Sequence, residues 1–483
     1  MSVYAPIVQP FNFRRLVSGE WLAISESGDF TFTTEDELDA LQNNVARLSL
    51  ERQAELKARF FLSDKSSNTG RARLLASRRA ARRSTVAEDP SLHIVVPTLQ
   101  CAHSCQYCQV SRALTDSGHA MSPDDVEQVC SSIFESKSRV LTIEFQGGDP
   151  LIRFDLVKHA IARITEINRL ERRSLRFVVA STLHQLTNEM CDFFAEHQVY
   201  LSTSIDGPQD LHNRNRPAAT RDSFQRTVEG IQLARHRLGA ESVSALMTCT
   251  RTSLAFPDEV VDQYVTLGLH DIFLRPLSSY GFAKRNQPLL GYSADKFQMF
   301  YERALKRILH WNRAGVELRE VYASIILNKI LSTFDSGYVD LQSPNGAGSA
   351  VLVYNYDGFV YPSDEARMLA ETGDRSLRLG KIGTPLAALT ASKVRRRIVD
   401  ASTIENFEDC RTCAYNQYCA PNPVDAQAQF GTMHVRAPET EHCNRHTWLF
   451  DFFFEAVRTA DDWTLDLFHR WAAPAGSDQH AQG

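Results

Sequence analysis

Three cysteines lie close together early in the chain. Cys101, Cys105 and Cys108 have the spacing C-x3-C-x2-C within the segment CAHSCQYCQV. Thiolates are the usual ligands of iron–sulfur clusters, and three of them leave one iron of a four-iron cluster open. An open iron can bind a small molecule and pass it an electron, so the triplet predicts a redox site.

Zinc is the main alternative ligand for such a triplet. A structural zinc site takes four ligands and commonly uses two C-x2-C pairs. No fourth cysteine is near the triplet, and the nearest histidine, His103, falls inside the loop itself. The spacing therefore favours an iron–sulfur cluster but leaves zinc open.

A second set of four cysteines lies far downstream, at Cys410, Cys413, Cys419 and Cys443. Four thiolates can ligate a cluster completely, and a closed cluster transfers electrons or stabilises structure without binding substrate. Zinc is again an alternative. The remaining cysteines are predicted to be core residues: Cys130, Cys191 and Cys249.

The elements that must position the triplet are indicated by the pattern between residues 90 and 280. Short β-branched runs alternate there with amphipathic helical segments, which is typical of a parallel sheet wound with helices. The predicted strands are 93–98, 141–146, 175–180, 200–205, 243–250 and 271–276, and the predicted helices lie near 122–137, 154–170, 187–197, 222–237 and 257–267. This predicts an α/β fold with a partial (β/α)6 TIM-like barrel, whose chemistry would collect at the C-terminal ends of the strands.

Two further motifs follow predicted strands at this same edge. Strand two runs into Gly147, Gly148 and Asp149, and a glycine pair lets the backbone pass close to a ligand. Strand four ends just before Asp206, which is therefore placed to meet a ligand as a candidate substrate-side acid, although Asp-Gly-Pro also makes an ordinary turn. Arg216 suits a carboxylate, because its fork donates two parallel hydrogen bonds.

The triplet, with Tyr107 before its last cysteine, resembles the signature of the radical S-adenosylmethionine (SAM) enzymes. The resemblance implies that the thiolates hold a [4Fe–4S] cluster whose open iron binds SAM, with Tyr107 near the adenine. Gly147, Gly148 and Asp149 resemble the GGE motif, whose backbone binds the SAM amino group. The segment from Ser204 onwards resembles SLDGP…H…R, in which the serine and the distal arginine, here Arg216, help to fix the amino-acid part of SAM.

The four later cysteines resemble part of the SPASM domain, which usually holds two auxiliary [4Fe–4S] clusters. Here Ser363 and Pro423 stand where that pattern has cysteines, so the resemblance implies one auxiliary [4Fe–4S] cluster. Asp364 matches a residue proposed as general base in sulfatase-maturing relatives. A helix N-cap is an equally good interpretation of Asp364.

The phrases HIVVPTLQCAHSCQYCQVSR, FLRPLSSYGFA and VLVYNYDGFVYPSDEARML resemble the His-Xaa-Ser system radical SAM maturase. That resemblance implies modification of a peptide, namely a His-Xaa-Ser repeat protein. It also implies a partner radical SAM maturase and an electron donor such as flavodoxin or ferredoxin. Two alternatives stay open: a formylglycine-forming sulfatase maturase, and a zinc-stabilised scaffold that binds a peptide without chemistry.

Length and composition fit a soluble cytoplasmic enzyme of several domains. The 483 residues carry a net charge of −5, which does not indicate nucleic acid as a partner, and no apolar run is long enough for a membrane span. Ten cysteines in so long a chain are too few for a disulfide scaffold. The expected divisions are a hairpin and helix module with an arginine-rich linker (1–89), the barrel (90–300), a helical connector (301–340), the auxiliary-cluster domain (341–450), and C-terminal helices with a disordered tail (451–483).

Overall fold

The computed structural model describes residues 6–64, 68–333 and 336–473. Its N-terminal elements are β1 (Ile7–Val8), β2 (Phe11–Arg15), β3 (Trp21–Ser25), β4 (Phe30–Thr33), α1 (Glu35–Asn43), α2 (Leu50–Ala58), β5 (Leu62–Ser63) and α3 (Asn68–Ala87). Strands β2, β3 and β4 form an antiparallel sheet, and the Thr34 side chain caps α1. The turn between β3 and β4 contains Ser27 and Gly28, so a hairpin precedes the helix that begins after Thr34.

Six parallel strands alternating with helices form the centre of the molecule. They are β6 (Leu92–Thr98), α4 (Pro123–Ile133), β7 (Val140–Gly147), α5 (Phe154–Glu171), β8 (Ser174–Ala180), α6 (Asn188–Glu196), β9 (Val199–Ser204), α7 (Gln209–Asn215), α8 (Ser223–Leu238), β10 (Val243–Thr248), α9 (Pro257–Thr266) and β11 (Asp271–Arg275). The strands lie side by side in chain order, and every neighbouring pair is parallel. The predicted strands, helices and α/β fold class are confirmed.

The remaining elements follow the sixth strand. They are α10 (Gly281–Arg285), α11 (Gln287–Leu290), α12 (Ala294–Arg313), β12 (Arg319–Glu320), α13 (Val321–Leu331), β13 (Val351–Tyr354), β14 (Phe359–Tyr361), α14 (Asp364–Glu371), β15 (Gly380–Lys381), α15 (Leu386–Thr390), α16 (Lys393–Asp400), α17 (Glu408–Arg411), α18 (Pro423–Phe430), α19 (Glu441–Thr459) and α20 (Asp462–Ala472). Strand β13 pairs in parallel with β6, and β14 and β15 continue in antiparallel order. The C-terminal region thus extends the central sheet to ten strands.

Aromatic packing joins the two ends of the chain. Helix α19 buries Phe450 and Phe454, as expected for the segment WLFDFFF. The Tyr415 ring lies on Phe450 with ring centres 5.1 Å apart, and Phe30 of the N-terminal sheet lies 5.0 Å from Phe454. The expectation of a disordered tail falls on residues outside the described ones. Over the described ranges, no helix is long and apolar enough to cross a membrane.

Candidate functional site

The cysteine triplet lies at the C-terminal edge of the central sheet, in the loop after β6. Cys101, Cys105 and Cys108 all line one cavity of about 470 Å³. The cavity wall also includes residues from the ends of the other strands, among them Glu144 and Gln146 of β7. Successive side chains of a strand point to opposite faces of the sheet. Leu141, Ile143 and Phe145 of β7 are buried in the core, so Glu144 and Gln146 face the cavity.

Burial and proximity raise the pKa of these thiols. Burial raises the pKa of Cys101 well above its usual value, and negative charge on Asp149, Cys105 and Cys108 adds to the rise. Burial raises the pKa of Cys105 to about 11, although the Arg216 guanidinium opposes the rise. A bound cation would stabilise the thiolates at once. The pocket is therefore suited to a cationic metal group.

The glycine pair after β7 allows two backbones to meet. A Cβ atom at Gly148 would lie 2.2 Å from the Leu99 carbonyl oxygen, and one at Gly147 would lie 2.2 Å from that of Thr98. The Gly148 amide donates to the Thr98 carbonyl at 2.9 Å. The glycines therefore hold the cysteine loop against β7, and both also line the cavity.

Asp149 faces away from the cavity. Its side chain is fully buried and accepts hydrogen bonds from the hydroxyls of Ser181 and Thr182 and from the Leu151 amide. Burial raises the pKa of this carboxyl, while the hydroxyl donors lower it. Asp149 therefore joins the ends of β7 and β8, and any contact with a ligand would come from the adjacent glycine backbone.

Tyr107, Asp206 and Arg216 form one buried network. The Tyr107 hydroxyl donates to both Asp206 carboxylate oxygens, at 2.9 and 2.7 Å, and accepts from Arg216 Nη1 at 2.8 Å. Asp206 is fully buried and does not line the cavity, whereas Tyr107 and Arg216 do. That Asp206 meets substrate as an acid stays a prediction, and in this structure its carboxylate is bonded to the Tyr107 hydroxyl.

Several polar groups at this end of the cavity lack a partner within the described protein. They include Arg216 Nε, which is buried, and Thr203 Oγ1 near the end of β9. Ser204 follows Thr203 and also lines the cavity. A buried donor without a partner costs free energy, so its presence fits a ligand that supplies an acceptor. A carboxylate beside Arg216, as SAM carries, matches this arrangement.

Asp364 also lines the cavity, as the first residue of α14. Its carboxylate accepts from Arg367 Nε at 2.8 Å and Nη2 at 2.6 Å. The N-cap is Ser363, whose hydroxyl accepts from the Ala366 amide. The helix-cap interpretation of Asp364 is therefore wrong by one residue.

Sequence reasoning missed three charged groups near Asp364. Arg367 is fully buried. Burial lowers the pKa of its guanidinium, but negative charge on Asp364, and to a smaller extent on Cys108, raises the pKa above its usual value. Glu365 and Asp340 line the cavity, and burial, helped by Asp340, raises the pKa of Glu365 to about 7. Helical spacing is a sequence signal for Arg367 alone, since residues three apart on α14 share a face, whereas Asp340 comes from a separate segment.

The four later cysteines gather between α17 and the start of α19. Burial raises the pKa of Cys419, and charge on Cys413, Cys443 and Cys410 raises it further, so the four thiols are neighbours. None of the four is among the residues that line the cavity of the triplet. Over the described residues, no three His, Cys, Asp or Glu side chains are arranged to hold a single metal ion.

The N-terminal sheet contacts this second cysteine set directly. Asn12 of β2 donates to the Cys413 carbonyl at 3.1 Å. Arg14 donates to Asp451 at 2.6 and 2.7 Å, and Tyr415 donates to the same carboxylate. Both ends of the chain thus contact the second set, whereas the triplet lines a cavity.

A comparison with protein families gives the class of this fold and site. Residues 95–259 match the Radical SAM superfamily model. This stretch runs from β6 into α9 and includes the triplet, the glycine pair and the Tyr107 network. The chain therefore contains a radical SAM domain and is an enzyme, and this family implies a [4Fe–4S] cluster and SAM.

Curated relatives match parts of the chain. It is 26% identical over 179 residues to an uncharacterized protein of Methanothermobacter thermautotrophicus, over 37% of this chain and 64% of the relative. It is 24% identical over 184 residues to the serine-type anaerobic sulfatase-maturating enzyme of Bacteroides thetaiotaomicron, over 37% of this chain and 44% of that enzyme. It is 20% identical over 170 residues to the radical SAM cyclopropyl synthase TigE of Paramaledivibacter caminithermalis, over 32% of this chain and 35% of TigE. The chain spans less than two thirds of the length of each of these relatives.

Solved structures share the fold over more of the chain. Native anSMEcpe with bound AdoMet and Kp18Cys peptide has a TM-score of 0.63 and 15% identity, covering 79% of this chain and 100% of that one. Streptococcus suis SuiB bound to precursor peptide SuiA has a TM-score of 0.55 and 14% identity, covering 91% and 100%. These similarities show the α/β fold alone, with a C-terminal helical region.

Proposed function

We propose that this chain is a radical SAM maturase that modifies a ribosomally made peptide, a His-Xaa-Ser repeat protein. The observation that carries the proposal is the pairing of a cysteine triplet that lines a cavity at the sheet edge with a second set of four neighbouring cysteines. Two relatives are named for maturation or cyclopropyl synthesis, and two structural neighbours contain peptides. These support a peptide substrate, and the His-Xaa-Ser identity rests on the sequence resemblance.

Different residues around the triplet would bind the cluster and SAM. Cys101, Cys105 and Cys108 would bind the [4Fe–4S] cluster, while Ser204 and Arg216 would bind the amino-acid part of SAM. When bound, the cluster and SAM together supply a one-electron reductive cleavage that yields a 5′-deoxyadenosyl radical able to take hydrogen from the peptide. The cavity wall orients the peptide and excludes water, which is the protein's usual share of such chemistry.

The second cysteine set is proposed to hold one auxiliary [4Fe–4S] cluster. Its four thiols are neighbours, so they could supply the four thiolates that ligate a cluster completely. Ser363, which stands where a second auxiliary cluster would need a cysteine, is used as the cap of α14. This argues for one auxiliary cluster and against a sulfatase maturase that keeps two.

Asp364 is proposed as the base that accepts a proton from the peptide. It lines the cavity, and its ion pair with the fully buried Arg367 fixes the position of its carboxylate. We also propose a cytoplasmic location, which fits ten cysteines that form no disulfide among the described residues. The domain divisions at residues 89, 300, 340 and 450 belong to the same proposal, with flavodoxin or ferredoxin as electron donor and a second radical SAM maturase as partner.

Co-expression with a neighbouring His-Xaa-Ser repeat protein tests the proposed function. The peptide is purified, its mass is measured, and its residues are analysed for chirality, with C105A as the matched control. A Cys105-dependent loss of two hydrogens or change of chirality supports the proposal. An unmodified peptide from a strain whose enzyme cleaves SAM would overturn the His-Xaa-Ser assignment, and colourless protein that contains zinc and no iron would overturn the enzyme assignment.

A further inference from the structure

The Tyr107 hydroxyl connects three parts of the radical SAM domain that are distant in sequence. Tyr107 belongs to the cysteine loop, Asp206 follows β9, and Arg216 ends α7. The hydroxyl lies between the two charges, donating to Asp206 and accepting from Arg216 Nη1 at 2.8 Å. The Arg216 guanidinium also lies 5.8 Å from the centre of the Tyr107 ring.

The network is buried, and its polar groups are not all satisfied by protein. Tyr107 is 6% exposed, Arg216 is 8% exposed and Asp206 is not exposed at all. Arg216 lines the cavity, yet its Nε has no partner within the described residues. Asp206 has further donors in the Thr248 amide at 3.4 Å and Asn215. The carboxylate is therefore anchored to β10 and α7, while the guanidinium keeps a free donor.

We propose that Asp206 is a positioning residue for SAM, which acts through the Tyr107 hydroxyl to fix the guanidinium of Arg216 at the cavity wall. Asp206 does not contact the ligand in this arrangement. Its negative charge holds the hydroxyl, the hydroxyl holds Nη1, and the rest of the guanidinium is left to bind the ligand. The inference rests on the radical SAM domain and SAM, and it does not depend on the identity of the peptide.

Energetics favour a relay over three independent contacts. A hydrogen bond to a charged group contributes roughly 1.5–3 kcal/mol, and a buried charge that loses its partner costs more. Removing the hydroxyl deprives Asp206 and Arg216 of their shared partner in a single step. Substitutions at Tyr107 and Asp206 should therefore be strongly non-additive, because either one breaks the same connection.

The test compares Y107F, D206N and the double variant in the holoenzyme. Two quantities are measured: SAM affinity, from the change in the electron paramagnetic resonance signal of the reduced cluster, and KM and kcat for dithionite-driven formation of 5′-deoxyadenosine. Each single variant should raise the Kd and KM for SAM roughly 10-fold with a smaller change in kcat. The Kd for SAM of the double variant should be no more than about 2–3-fold higher than that of the more impaired single variant.

Y264F is the matched control. It also removes a buried tyrosine hydroxyl, which donates to the Ile205 carbonyl at 2.9 Å, beside Asp206 but outside the network. It should leave the Kd for SAM within about 2-fold of wild type. If D206N fails to retain its iron, Y107F alone decides, since it keeps both charges and the ring.

Two results would overturn the proposal: multiplicative effects in the double variant, or an unchanged Kd for SAM in iron-replete Y107F. Loss of SAM cleavage in every preparation, wild type included, would instead count against the radical SAM half of the proposed function. If Y107F and D206N raise the Kd for SAM as expected but the wild-type enzyme leaves the peptide unmodified, only the peptide assignment is contradicted.

Discussion

The cysteine triplet after β6 and the four cysteines of the C-terminal region lie in different surroundings. The triplet lines a cavity of about 470 Å³ at the ends of parallel strands. The second set lies among α17, α19 and the N-terminal sheet, with Asn12 bonded to the Cys413 carbonyl. A cluster held by three thiolates leaves one iron open to a small molecule, whereas a cluster held by four can only transfer electrons or stabilise the fold. We therefore expect the two sets of cysteines to serve different purposes.

The largest expected effect is loss of SAM cleavage in C105A. Removing one ligand of the open cluster should lower formation of 5′-deoxyadenosine to below about one hundredth, since even outer-shell partners of metal sites cost 10- to 100-fold. The measurement is the dithionite-driven assay on anaerobically purified protein. C130A is the control, because Cys130 is fully buried in α4, and it should remain active. Full SAM cleavage in C105A would remove the distinction between the two sites.

C443A should give the complementary result. Loss of the second cluster should reduce the iron content from about eight to about four per chain and abolish peptide modification, while SAM cleavage stays within about 10-fold of wild type. Iron analysis and the mass of the co-expressed peptide measure these effects. If C443A abolished SAM cleavage while keeping the first cluster, the two sites would not be separable.

G148A should weaken the triplet site and spare the second set. Its Cβ would lie 2.2 Å from the Leu99 carbonyl oxygen and 2.3 Å from that of Gln100, which forces the cysteine loop away from β7. Overpacking of this kind costs about 1–3 kcal/mol, so we expect a lower melting temperature and loss of iron from the triplet only. G70A is the control, since nothing lies within 4 Å of that position. Equal iron loss from both sites would contradict the prediction.

The smallest expected effect concerns pH. Burial raises the pKa of Glu365 from 4.5 to about 7, so its protonated form favours folding. That contribution is complete below about pH 4.5 and is lost as the pH rises through 7. Wild type should therefore lose roughly 1–2 kcal/mol more unfolding free energy than E365Q between pH 5 and pH 8. Denaturant titrations at both pH values measure the difference. Equal losses of unfolding free energy in wild type and E365Q would show that Glu365 does not titrate in this range.

Local sequence patterns predicted the strands and helices of the barrel, because alternation and capping residues are encoded within a few neighbours. The position of the triplet after β6 followed from chain order alone. The partners of Asp206 and Asp149 could not be predicted this way. Each depends on a hydroxyl from a distant element, Tyr107 in one case and Ser181 or Thr182 in the other. Position at a strand end indicates proximity to a site, but not which way a carboxylate turns.

The pairing of β13 with β6 affects how the chain can be divided. Val351 lies opposite Leu92 and Val353 opposite Ile94, so the first barrel strand pairs on its second edge with a strand that follows all the other barrel strands in sequence. A chain cut before residue 351 would leave the apolar strand HIVVPT with an unpaired edge, and such an edge is a template for aggregation. The barrel is therefore unsuited to expression as an isolated fragment, and the cysteine triplet has to be studied in a chain that also carries the second set.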